Sequence, residues 1–313
     1  RPLNYETSSD ATVLQCISIF IKKDCTRKEI LKLNKVEFID TWDKGVSAIE
    51  SAIEYFISYY RIPVSQLLPY NALIVPFAYF FYHNIDKPTG VKQKYLQDYF
   101  WRCALSGRFS SSVETKLGQD IKRIDAILNE ELPKYDWSID TSKEGIENNG
   151  WFSAGRSYIK AILCIYAYQQ PKSFNDGSLV SISNYWLKQA NSKNYHHFFP
   201  KAYLAKQNWD PFYVNHIANI TIVDDFLNKR EIGAKSPATY MRKFEKQNDD
   251  IETTMKSHLI NDLESFGVYD NNYEKFFEER IKAIHKELKK RIIPQDSDEQ
   301  TAVSFPSNED ARE

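Results

Sequence analysis

Apolar residues recur at three- and four-residue spacing through most of the chain. Between Trp42 and Arg61 the series Val46, Ile49, Ile53, Phe56, Ile57 and Tyr60 marks one face of an amphipathic helix turned toward a core. Pro63 ends it, because the residue before a proline is pushed out of helical geometry. Upstream, Ser9 or Asp10 can cap a helix running through Lys22. Pro69 to Asn84 is nearly all apolar and reads as a buried, kinked central helix. Val91–Ser106 and Ser111–Glu131 follow; the second takes Ser112 as its cap, Leu117, Ile121, Ile124 and Leu128 as its stripe, and Pro133 as its close. Trp151–Gln169 predicts one more apolar helix, stopped by Pro171.

The texture then changes. Asn175-Asp176-Gly177-Ser178 is a turn signal, and short, turn-rich elements run to Ser192. Asn194–Phe199 and Ile217–Val223 have strand composition. Helical pattern returns over Asp224–Asn228, Pro237–Gln247, Ile251–Leu263 and Tyr273–Ile292. The last is amphipathic and rich in Lys and Glu, suited to dimerisation or to packing on its own body. No internal repeat is visible, which argues against a solenoid. The expected fold class is mainly α, with a helical domain over residues 1–175, a second domain over 176–293 and an acidic disordered tail over 294–313.

Composition sharpens this only in places. The 313 residues are 42% hydrophobic and 14% aromatic, enough for a substantial core. Lys and Arg (41) nearly balance Asp and Glu (42), so no overall basic charge announces nucleic acid. The tail holds Asp296, Asp298, Glu299, Glu309, Asp310 and Glu313 against Arg312 alone. Its net −5, set against a chain total of −1, leaves the rest at +4. Cys16, Cys25, Cys103 and Cys164 lie far apart with no CxxC pair, as expected for free thiols in a reducing cytoplasm. The most apolar run, Leu67–Tyr82, is interrupted by Pro69, Asn71 and Pro76 and is shorter than the ~20 residues a membrane span needs. Arg1-Pro2 replaces an initiator Met, as in a piece of a longer protein.

The candidate chemistry lies between Asn194 and Pro237. Tyr195-His196-His197-Phe198-Phe199-Pro200 is followed by Ala218-Asn219-Ile220-Thr221-Ile222-Val223, then by Asn228-Lys229 and Lys235-Ser236-Pro237. Phosphodiester hydrolysis needs a base for water and a cation to neutralise charge on the phosphate and the leaving oxygen. Histidine suits the first task, since its unperturbed pKa lies near neutrality. Oxygen and imidazole ligands suit the second. A strand–loop–strand–helix unit can present a His on the first strand, bring Asn219 beside it and carry Asn228 on the helix.

This pattern resembles the HNH-type (ββα-metal) nuclease domain at the C-terminus of modification-dependent restriction proteins of the GmrSD type, a group of bacterial phage-defence proteins. The likeness extends to a helical region carried by Leu68-Pro69-Tyr70-Asn71 and by Trp101 through Gly107-Arg108-Phe109-Ser110-Ser111-Ser112 to Glu114 and Asp120, so it spans roughly residues 60 to 240. It implies a small ββα-metal unit embedded in helices. By position, His197 would be the general base and Asn219 would hold His197 or its loop. Lys235 would touch a phosphate or the leaving oxygen, and His196 and Asn228 would be the metal ligands. His196 stands where relatives often place Asp, and Asn228 replaces a final His. The implied metal is Mg2+, with Mn2+ or another divalent ion also suited to an imidazole ligand. Adjacent strand residues point to opposite faces, so joint service by His196 and His197 calls for a twist or bulge.

Lys201, Lys206, Lys229, Arg230, Arg242 and Lys243 flank the motif as candidate nucleic-acid contacts. His216, His83, His258 and His285 read as ordinary histidines. Arg108 with Ser110–Ser112 reads as a capped helix start with a surface arginine, or as a phosphate site. Trp101, Trp137, Trp151 and Trp186 read as core more readily than as base-stacking platforms. The expected function is a cytoplasmic, metal-dependent DNA endonuclease or nickase of a restriction or anti-phage system. It would act with an N-terminal nucleotide-handling sensor that this chain does not contain. A degenerate HNH-fold module binding DNA or protein, and an RNA nuclease, are the alternatives.

Overall fold

The computed structural model describes Tyr5 and residues 9–183, 195–223 and 231–299. The chain is mainly helical with one small two-stranded sheet. Helix α1 (Asp10–Lys22) starts where Ser9 accepts the Thr12 N–H, and α2 (Arg27–Ile30) is a single turn. Helix α3 (Lys35–Ser58) begins seven residues ahead of the expected start at Trp42, capped by Asn34. Val36, Ile39 and Trp42 in that early stretch face solvent, so no core-facing period announced it.

Residues 71–73 form a 3-10 turn that leads into α4 (Ile74–His83), with Pro76 in its first turn, where a missing N–H costs nothing. α4 is sheathed by α1, α3 and α6 (Val113–Leu128), and α5 (Gly90–Ser106) packs on α6 and α8 (Ser157–Tyr168). Ser112 precedes α6 in left-handed backbone (φ 52°), and its hydroxyl makes no cap bond, contrary to the cap expected there. A short helix the pattern did not announce, α7 (Lys143–Asn149), is capped by Ser142. α8 starts six residues later than expected, because Trp151 and Phe152 are extended and pair with residues 215–217.

Gly177 sits at φ +70° in the expected turn, with Asp176 accepting the Ser178 N–H. Strands β1 (Tyr195–His197) and β2 (Ile220–Ile222) follow, separated by α9 (Lys201–Ala205) and α10 (Pro211–Val214). The chain closes through α11 (Pro237–Glu245), α12 (Ile251–Lys256) and α13 (Tyr273–Lys289). The apolar face of α13 is buried within this chain, against α7, α8 and the turn at residues 217–219. One continuous apolar cluster runs from Tyr5 to Ile292, so no gap in the core marks the change of texture near residue 175.

The start of the expected disordered tail is ordered. Residues 296–299 form a last helical turn, α14, and Asp298 grips the buried Arg102 through both carboxylate oxygens (2.9 and 2.7 Å). Asp98 holds the other edge of that guanidinium and accepts the Ile293 N–H (2.8 Å). An acidic composition thus found a buried arginine to neutralise it, which periodicity could not reveal. Residues 300–313 lie outside the described residues.

Candidate functional site

β1 and β2 pair antiparallel with Tyr195 opposite Ile222, His196 opposite Thr221 and His197 opposite Ile220. The chain leaves β1 through Phe198, whose N–H donates to the Asn219 carbonyl (2.8 Å), and Pro200 turns it into α9. On the return, His216 Nδ1 accepts the Ala218 N–H (3.0 Å) and caps the 3-10 turn at residues 217–219. A third backbone segment joins the ribbon: Phe152 N–H donates to Asn215 O (2.8 Å), and Ile217 N–H to Gly150 O (2.7 Å). Gly150 is required here, since a Cβ would lie 1.8 Å from His216 Nε2.

Asn219 is fully buried and spends its amide on the loop that follows His197 and on the end of α10. Its Oδ1 accepts the Phe199 N–H (2.8 Å), and its Nδ2 donates to the carbonyls of Phe199 (3.0 Å) and Val214 (3.1 Å). Arg280 reaches in from α13 to brace the same turn from behind. It donates to the carbonyls of Ala218 (3.1 Å) and Ile220 (2.6 Å), which flank Asn219, and to that of His258.

The two histidines have different surroundings. His196 is 2% exposed, edge-on to the rings of Phe174 and Tyr240. Its Nδ1 meets the Thr221 hydroxyl (3.2 Å), while its Nε2 is sealed and without a hydrogen-bond partner. Burial, with smaller contributions from His197 and His258, pushes its pKa down to about 3. His197 is half-buried, and its Nε2 lies 3.0 Å from Asn215 Oδ1. Burial pulls its pKa down to about 4; the Asn215 contact opposes this, and the Lys201 ammonium adds to it. Both imidazoles are therefore neutral at pH 7. The register is regular through both residues, so the twist or bulge that joint service called for is not built into β1.

The other candidates scatter. Lys235 is exposed and donates to the Glu231 carbonyl (2.7 Å), and Lys243 pairs with the Glu231 carboxylate. These bonds run to the Glu231 loop rather than to either histidine. Lys201, Lys206 and Arg242 are exposed, and of these Lys201 is the one whose charge reaches His197. Asn228, Lys229, Arg230 and Trp186 lie outside the described residues. Among the described residues no group of three or more His, Cys, Asp or Glu side chains is arranged to hold a metal ion.

The remaining histidines are structural. His216 donates to Glu147 O (3.0 Å), His258 to Lys172 O (2.7 Å) and His285 to Thr141 O (2.7 Å), while His83 packs edge-on against Tyr79 and Tyr82. Arg108 is neither a surface residue nor a phosphate clamp: it is 9% exposed, ion-paired with Asp120 (2.8 Å) and stacked on Trp137. All four cysteines are free and buried. Among the described residues no helix is long and apolar enough to cross a membrane.

Three residues of the site were given no role by the sequence. Arg280 carries a readable signal, falling on the α13 stripe three or four residues from Phe276, Phe277 and Ile284. Thr221 is legible only as the strand partner of His196. Asn215 has no sequence signal.

No family model matches the chain. It is 22% identical over 311 residues to the uncharacterized protein MJ0686 of Methanocaldococcus jannaschii, with 88% of this chain and 50% of that protein aligned. The chain thus spans about half the length of this curated relative.

Proposed function

We propose that the chain is a metal-dependent DNA endonuclease or nickase serving restriction or anti-phage defence. Its centre would be a ββα unit made of β1, β2 and the helix expected over Asp224–Asn228. The observation that carries this reading is the sealed, unpartnered Nε2 of His196, next in sequence to a neutral, half-buried His197. A buried polar atom without a partner is costly, and it calls for a ligand. The Thr221 hydroxyl lies within reach of the His196 carbonyl (3.4 Å), so it donates there and accepts from Nδ1–H. That leaves the lone pair of His196 on Nε2, the arrangement a metal-bound histidine needs.

His196 and Asn228 would hold the cation, which requires β1 to twist when loaded, since its register sets His196 and His197 on opposite faces. When bound, a divalent ion would neutralise charge on the scissile phosphate and the leaving oxygen. His197 would take the proton from the attacking water, and its depressed pKa keeps it unprotonated and ready across the neutral range. Asn219 and Arg280 would keep its loop fixed, and Lys201 would meet the phosphate backbone. Supercoiled-plasmid nicking with Mg2+ or Mn2+ tests this: EDTA and His197→Ala should each abolish it while the thermal transition is kept. Cleavage that survives His197→Ala sinks the mechanism.

A second reading is favoured by the opposed faces of His196 and His197. In it the ribbon is a degenerate nuclease unit that binds DNA or protein without cutting. Plasmid retardation on a gel with no nicking under any divalent ion would select it.

A further inference from the structure

We infer that Asn215 is the positioning residue of His197, holding its imidazole in the Nε2–H tautomer so that Nδ1 presents the basic lone pair. This rests on the nuclease reading for its catalytic meaning but not for its geometry. An amide can face its neighbours in either of two ways, and the Phe152 carbonyl decides between them here. A carbonyl only accepts, so the Asn215 atom 3.1 Å from it must be Nδ2. Oδ1 then faces His197 Nε2 at 3.0 Å, and because an amide oxygen also only accepts, the imidazole must donate from Nε2.

The anchor is rigid for a further reason. Phe152 binds Asn215 twice, through Nδ2 and by donating its own N–H to the Asn215 carbonyl (2.8 Å). The Phe152 ring packs edge-on against Tyr195, the first residue of β1 (5.0 Å between centroids). The amide is thus tied to the backbone on one side and to the strand that bears His197 on the other. Nδ1 of His197 has no hydrogen-bond partner among the described residues, and unlike Nε2 of His196 it is not sealed. Asparagine is the side chain this place requires, since one group must donate to a carbonyl and accept from an imidazole. Asn219, in the motif, serves the loop; Asn215, outside it, serves the ring.

Two-bond 1H–15N spectra of the imidazoles in the full chain test the assignment, with His197→Ala identifying the His197 signals. The wild type should show His197 protonated at Nε2 and bare at Nδ1 at neutral pH. Asn215→Leu should lose that single tautomer, and Asn215→Asp, which keeps the acceptor but not the donor, should restore it. Nδ1–H in the wild type, or an unchanged tautomer in Asn215→Leu, overturns the proposal. The wild-type spectrum stands by itself if the Leu variant does not fold.

Cleavage is then read on the same proteins. Asn215→Leu should lower kcat by roughly 10²-fold, the scale of general-base catalysis, with KM within about twofold. Asn215→Asp should recover most of kcat. A purely structural role through Phe152 would make Asp as damaging as Leu, and that result also overturns the proposal. If the tautomer behaves as stated and the wild type cuts nothing, the nuclease reading falls while the hold of Asn215 on His197 stands.

Discussion

Among the buried arginines, Arg102 and Arg280 are neutralised in two different ways. In the helical half Arg102 is fully enclosed between the carboxylates of Asp98 and Asp298, and Arg108 is paired with Asp120. In the ribbon half Arg280, 1% exposed, meets backbone carbonyls of Ala218, Ile220 and His258 and stacks on Tyr166. The first arrangement joins distant side chains, tying the end of the chain to α5. The second spends a charged donor on shaping a turn. A scaffold tolerates carboxylates beside its arginines. A centre proposed to receive a phosphate would be better served by donors whose partners are neutral, because a nearby carboxylate would repel the substrate.

Breaking the helical pairing should have the largest effect. Arg102→Ala leaves Asp98 and Asp298 without their buried partner and should cost about 3–5 kcal/mol in chemical denaturation. Adding Asp98→Asn and Asp298→Asn should return part of that loss; no recovery would mean that charge is not what the pair neutralises. Arg280→Met should cost about 3 kcal/mol, since three carbonyls lose a buried donor. No neutralising substitution elsewhere can restore it, because its partners are main chain. A loss under about 0.5 kcal/mol, as at an ordinary surface site, would end the contrast between the halves.

Asn219→Ala should remove about 2 kcal/mol and loosen the Phe198–Pro200 loop, seen as faster amide exchange at Phe199. Unchanged exchange there would separate Asn219 from the loop it holds.

Acid should act mainly on the ribbon half, and gradually over the pH range rather than at one substituted position. His196, His216 and His258 have pKa values lowered to about 3, 4 and 4, each chiefly by burial. Unfolded histidine titrates near 6.5, so between about pH 6.5 and 4 the unfolded chain binds protons that the folded chain refuses. Stability is complete above that window and falls as pH drops through it, by about 1.4 kcal/mol per pH unit for each histidine. A flat stability profile from pH 7 to 5 would contradict the sealed, neutral state of these rings.

The site was legible where it is local. His196 and His197 fall on the expected first strand, whereas Asn219, expected on the second, sits in a 3-10 turn just ahead of it, because its amide bonds the loop after His197. The helices followed their apolar stripes, apart from ends set by features without a stripe, such as the exposed start of α3 at Asn34–Trp42 and the extended Trp151–Phe152. The start of the tail was misread because a charged segment gives no sign of whether a buried partner awaits it, and Asp298 has one in Arg102.

The sequence by itself determined a mainly helical chain with a short histidine-bearing ribbon, because helix and strand periodicity are written in residues a few positions apart. Only the tertiary structure decided which way each imidazole faces, that Arg280 lies beneath the Asn219 turn, and that Asn215 meets His197. The physical reason is common to all three. A buried polar side chain must find a partner, and here the partner is often a main-chain carbonyl or an amide far along the chain. A carbonyl is the same at every residue, so it leaves no mark in the sequence until the fold brings it within 3 Å.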